Sequence, residues 1–190
     1  LKDDEYKELY TRWFQFGAFS PLFRAHGTNV PREIWQFGDI GSPYYDTQLK
    51  YIKLRYRLIP YIYSLSHQVS VNGYTLMRPL VMDFGHDVNT HEIDNAYMFG
   101  DALLVRPVLT PESASNLTAT YLPEHDASYW FNFWTNATIQ GGQTDKIPTP
   151  IHIMPLYVNE VKLLPLIMWY EEDWEECRVE KREKRRYKDK

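Results

Sequence analysis

Apolar residues recur at three- and four-residue steps as far as Asn72-Gly73. From Tyr74 onward they give way to short β-branched and aromatic runs broken by Gly, Pro, Asn and Asp. The first pattern is that of helices burying one face, the second that of an antiparallel sandwich. A chain that changes period in this way has a boundary there, so residues 1–73 and 74–168 are expected to form two domains. Residues 169–190 are a third segment. Sixteen of the last twenty residues are charged, which suits a disordered tail or a frayed, solvated helix.

In the first part, Tyr6, Leu9, Tyr10, Trp13 and Phe14 predict one buried face on a helix over 4–16, ended by Gly17, with Trp13 in the core. Phe19 to Phe23 reads as a short buried parallel strand with Pro21 near its start, followed by a loop over 27–41. Ser42-Pro43 is a helix entrance. The face Leu49, Ile52, Tyr56, Ile59, Ile62 and Tyr63 carries a long helix to about Val71, kinked at Pro60, which cannot donate to the Tyr56 carbonyl. Asn72-Gly73 closes it. Strands are expected over 75–83, 102–108, 117–122, 129–134 and 151–158, with a turn at Gly141-Gly142.

His26 follows the apolar run and precedes a glycine, the place where parallel α/β barrels present polar side chains to their active face. On the residues alone, a site histidine and one that caps the strand through local backbone bonds stand equally open. Arg24 would share its side in a strict strand, either touching a ligand or forming a structural ion pair. Glu33, Asp39, Asp83 and Asp101 have no spacing that pairs them, and Asp83 and Asp101 are expected to accept from turn N–H groups. His86 and His91, beside Asp87 and Glu92, read as a solvated loop rather than metal ligands, because no cysteine or helical histidine spacing accompanies them. No motif asks for a cofactor.

The run Trp13 to Gly27, followed in order by Pro31–Trp35, Leu54–Leu65, Met77–Phe84 and Tyr97–Val108, resembles glycoside hydrolase family 31. The likeness covers roughly residues 4 to 166 and ends with Met154–Val158 and Leu163–Leu166. The wording is most similar to bacterial α-xylosidase-like members. The resemblance implies the C-terminal end of a (β/α)8 TIM barrel followed by a proximal β-sandwich, in a retaining α-xylosidase or α-glucosidase. In that family the nucleophile Asp and the acid/base Asp lie in motifs that would precede Leu1. Retention needs two carboxyl groups about 5 Å apart, so no catalytic residue is expected in this chain and it is expected to be inactive by itself. His26 matches the family histidine that binds sugar hydroxyls in the −1 subsite, and Arg24 is the second substrate-binding candidate.

The implied partners are an α-linked oligosaccharide or xyloglucan-type substrate and the missing N-terminal part of the enzyme. The rival reading is a non-catalytic carbohydrate-binding or accessory module, or an inactive truncated gene product. A sandwich can fold alone, whereas one βα unit cannot bury both faces of its strand, so the first seventy residues are expected to be loose in isolation.

Composition bears on the excluded classes. A formal net charge of −4 with no basic stripe before the tail argues against nucleic-acid binding. No apolar run is long enough to span a bilayer. The single Cys177 permits no internal disulfide and leaves the compartment unread. A periplasmic or secreted location would require an export signal before Leu1. The triplets Asn116-Leu117-Thr118 and Asn136-Ala137-Thr138 would matter only in a eukaryotic secretory route.

Overall fold

The computed structural model describes residues 3–27, 29–124 and 129–160. The charged segment 169–190 and the Leu163–Leu166 block lie outside the described residues. Helix α1 spans Asp4–Gly17, and the Asp3 carboxylate caps it by accepting from the Glu5 N–H at 3.1 Å. Helices α2 (Pro43–Arg57) and α3 (Ile59–Asn72) occupy the stretch expected to be one kinked helix. Pro60 does more than bend it: the backbone leaves helical geometry at Leu58, whose ψ is −4°, and a second helix starts with Pro60 in its first turn. Gly73, with φ of 63°, takes the left-handed position that ends α3.

Two expectations for the first part fail. Phe19–Phe23 is not a strand. Ala18 to Ser20 continue the end of α1 as tight turns, with Phe19 N bonded to the Phe16 carbonyl at 3.0 Å, and residues 21–27 run on without sheet pairing. A parallel strand draws its backbone bonds from neighbours on either side, and among the described residues none lies alongside. The buried face of α1 is also not the aromatic one. Thr11, Arg12 and Gln15 are buried, whereas Leu9 and Trp13 are 56% and 64% exposed.

The rest of the chain forms β1 (Met77–Pro79), the short helix α4 (Leu80–Asp83), β2 (Tyr97–Phe99), β3 (Leu103–Val105), β4 (Leu117–Leu122), β5 (Tyr129–Asn132), β6 (Thr138–Gln140), β7 (Gln143–Pro148) and β8 (Leu156–Asn159). Six of these strands make one antiparallel sheet in the order β1-β2-β3-β8-β5-β6, while β4 and β7 pair as a ribbon across the second face. The strand expected over 75–83 ends at Pro79, because Arg78 reaches back to grip Asp83 with a bond of 2.7 Å and closes the Leu80–Asp83 turn. Asp83 therefore pairs with a guanidinium rather than with the turn N–H groups expected for it. The strand expected over 102–108 stops at Val105, before Pro107, which has no N–H to offer a ladder. Residues 151–154 stay out of the sheet with their carbonyls taken by the side chains of Gln15, Lys50, Arg12 and Trp134, and the Pro155 carbonyl accepts from the Arg106 N–H at 3.1 Å.

Alternation in the central strands splits the core into two layers. Phe99, Leu103, Val105 and Leu156 face α1–α3 and pack with Ala18, Phe19, Tyr51, Leu54, Leu58, Tyr61 and Leu65. Met98, Leu104 and Tyr157 face the other way, onto Leu80, Leu122 and Trp130. The first layer crosses Gly73 without a seam, so the helices cover one face of the sheet. The two expected domains thus share one core across the boundary at 73/74. No described helix is long and apolar enough to cross a membrane.

Candidate functional site

The two faces of α1 have opposite jobs. Its polar face enters the loop before β8: Arg12 Nη2 donates to the Thr149 carbonyl at 2.7 Å, Arg12 Nη1 to the Ile153 carbonyl at 3.0 Å, and Gln15 Nε2 to the Ile151 carbonyl at 2.6 Å. Burial lowers the Arg12 pKa from its ordinary value while the charges of Glu8 and Glu112 act the other way, and a guanidinium remains protonated at neutral pH. Desolvating such an ion costs several kcal/mol, but hydrogen bonds to a charged group contribute about 1.5–3 kcal/mol each. Several of them hold it.

The aromatic face is open. Tyr10, Trp13, Phe14 and Phe16 line a cleft of about 340 Å³ with Leu22, Phe23, Arg24, His26 and Arg32. Tyr10 stacks on Phe37 with ring centres 4.5 Å apart, and Phe14 meets Phe23 edge-on at 4.9 Å, so both are fixed from behind. Trp13 meets Phe16 in a T-shaped contact at 5.8 Å and is otherwise exposed. The core position expected for Trp13 fails because the buried side of its helix belongs to Thr11, Arg12 and Gln15.

Arg24 and His26 are both exposed and both line this cleft. The strict-strand reasoning that put them on one side lapses with the strand, and the segment is held at its two ends instead. Arg55 of α2 donates to the carbonyls of Ala18, Ser20 and Pro21 at 2.9, 2.7 and 3.0 Å. At the far end Arg32 Nη1 donates to the His26 carbonyl at 2.6 Å, and Tyr10 OH holds the Arg32 carbonyl at 3.2 Å. A Cβ at position 27 would overlap the Arg32 guanidinium, so Gly27 lets that anchor reach His26.

No carboxylate lines the cleft among the described residues. What the arrangement offers is an apolar floor of ring faces with two guanidinium groups, Arg24 and Arg32, and one imidazole able to both donate and accept. His86 and His91, expected in a solvated loop, are exposed but also tied down: their Nε2 atoms lie 3.0 Å from the Glu124 carbonyl and 2.9 Å from the Gly85 carbonyl. Tyr10, Trp13, Phe16 and Arg32 also line the cleft. The signal for the three aromatics is the three- and four-residue spacing itself, which is identical for a core and for a cleft wall, while nothing in the sequence around Arg32 points to it.

Residues 2–65 match the family model described as the glycosyl hydrolases family 31 TIM-barrel domain, and residues 73–164 the glycosyl hydrolase family 31 C-terminal domain. The chain is 43% identical over 162 residues to an alpha-xylosidase of Saccharolobus solfataricus, which covers 85% of this chain and 21% of that relative. It is 37% identical over 161 residues to neutral alpha-glucosidase C of Mus musculus, covering 84% and 17% of the two chains. Its fold superposes on the crystal structure of a GH31 alpha-xylosidase from Xanthomonas citri with a TM-score of 0.80 and 41% identity, covering 85% of this chain and 17% of that one. The chain thus spans about a fifth of the length of these relatives.

Proposed function

The chain belongs to glycoside hydrolase family 31, and on that premise we propose that it supplies the barrel end and the following sheet domain of a retaining enzyme. That enzyme hydrolyses terminal α-xylosyl residues of an α-linked or xyloglucan-type oligosaccharide, with α-glucosyl residues as second choice. The observation that carries the reading is the open aromatic cleft with Arg24 and His26 at its edge. Trp13 and Tyr10 offer ring faces to the C–H face of a sugar. His26 holds a ring hydroxyl through an imidazole that donates from one nitrogen and accepts at the other, and such bonds strengthen as the anomeric centre flattens. Arg24 orients a second oxygen of the substrate or a loop carbonyl beside it. The two carboxyl groups required for retention come from polypeptide outside the described residues, which is the partner this cleft needs.

Aryl α-xyloside and aryl α-glucoside provide the test. The chain alone is expected to give no turnover. Combined with a polypeptide that carries the remaining barrel strands, it is expected to cleave the xyloside with the higher kcat/KM. In that assembly His26→Ala lowers kcat/KM by about a hundredfold, the equivalent of one strong transition-state hydrogen bond. Hydrolysis by the isolated chain would overturn the placement of the acids elsewhere, and an unchanged kcat/KM in the variant would remove His26 from the site. A carbohydrate-binding accessory module is the second reading, favoured by the lack of acid in the cleft lining among the described residues. It requires sugar binding without turnover even in the assembly.

A further inference from the structure

Six consecutive carbonyls, from Thr149 to Met154, are each claimed by a side chain. Arg12 takes those of Thr149 and Ile153 and reaches those of Pro150 and Ile151 at 3.3 and 3.4 Å. Gln15 takes Ile151, Lys50 takes His152 at 3.0 Å, and Trp134 Nε1 takes Met154 at 2.8 Å. Four of these oxygens, those of Thr149, Pro150, Ile151 and Ile153, converge on one guanidinium, and such a cluster of backbone carbonyls is a receptor for that cation. The head group is bound by its two terminal nitrogens alone, since Arg12 Nε is buried without a hydrogen-bond partner.

We propose that the Thr149–Met154 loop is a guanidinium site, filled here by Arg12, and that its occupancy sets the pose of the cleft wall on the opposite face of α1. The link is geometric. Arg12 and Gln15 fix the rotation and axial position of α1 against the sheet, and Tyr10, Trp13, Phe14 and Phe16 project from the same rigid cylinder into the cleft. Arg12 is thus a positioning residue for the Gly17–Gly27 segment, whatever the cleft binds. Lysine cannot replace it, because an ammonium is a compact point charge that lacks the planar fork.

The test uses the full chain with Arg12→Ala, and amide hydrogen exchange read separately on peptides covering 149–154 and 17–27. Both peptides are expected to exchange about tenfold faster in the variant. Guanidinium chloride in the millimolar range, well below denaturing levels, is expected to restore protection in both, because a free cation must replace the effective concentration that the tether provided. Equal sodium chloride or urea leaves the variant fast, and guanidinium leaves the parent chain unchanged. Guanidinium without effect on the variant, or slowing the loop while the 17–27 peptide stays fast, overturns the proposal. Should Arg12→Ala not fold, Gln15→Ala keeps the cation and removes one cover from Ile151. It is expected to quicken exchange in both peptides together, and quickening in one alone is the overturning result.

Discussion

Asp87 is buried, yet its carboxylate is fully employed. Tyr121 OH and the Glu124 N–H donate to Oδ2 at 2.7 and 3.0 Å, and the Asn89 N–H and Nδ2 donate to Oδ1 at 3.1 and 3.0 Å. Burial acts to raise its pKa, but these four donors outweigh it and hold the group below the ordinary carboxylate value. A carboxyl group whose folded pKa is depressed stabilises the fold above its unfolded value, near pH 3.9. That stabilisation is lost as pH falls through the folded value. Asp87→Asn is therefore expected to flatten the loss of unfolding free energy between about pH 6 and about pH 3. It is also expected to cost about 1–3 kcal/mol near neutrality, where donors are left short of an acceptor. Urea unfolding at the two pH values measures both effects; an unchanged acid slope would mean that the carboxylate does not hold this loop.

Among the elements, α3 shows how a helix is pinned to a sheet by one atom. Tyr61 OH donates to the Phe99 carbonyl at 2.8 Å and accepts from the Ala102 N–H at 3.0 Å, closing the β2–β3 turn from outside. Tyr61→Phe keeps the ring and strands two buried backbone groups, so a loss of about 2–3 kcal/mol in urea unfolding is expected with an unchanged m-value. The same element was largely legible in the sequence: Pro60 marked the break and Asn72-Gly73 the end, because both act through local backbone geometry. Helix α1 was legible in extent but not in orientation. Its aromatic spacing named a face, and a hydrophobic pattern cannot tell a face turned to this sheet from one turned to an open cleft. Arg12 and Gln15 went unread for the converse reason. A buried guanidinium is settled by carbonyls more than a hundred residues away, and no local pattern announces them. The spacing marks strand β4 over 117–122, its observed bounds, whereas the apolar runs 75–83 and 151–158 extend past β1 and β8 into stretches where side chains, rather than ladders, take up the backbone.

On the scale of the whole molecule, the helices and the sheet share one core. Phe99, Leu103, Val105 and Leu156 are almost fully buried, and the helical side of the core supplies their cover. Fully burying a side chain of this kind is worth about 1.5–3 kcal/mol, so uncovering four exceeds half of the stability typical of a domain, about 5–15 kcal/mol. A polypeptide of residues 74–160 is accordingly expected to lack cooperative thermal unfolding and dispersed amide NMR signals, whereas the full chain shows both. A well-dispersed spectrum from that piece would show that the sheet needs no helical cover.

The two arginine anchors on the cleft segment have a consequence for change over generations. Arg55 and Arg32 hold Ala18–Pro21 and His26 by main-chain oxygens only, so the grip is indifferent to which side chains lie between. Leu22, Arg24 and Ala25 can be exchanged without unseating the span, and mutational drift at these three positions can reshape the cleft lining while the scaffold keeps its shape.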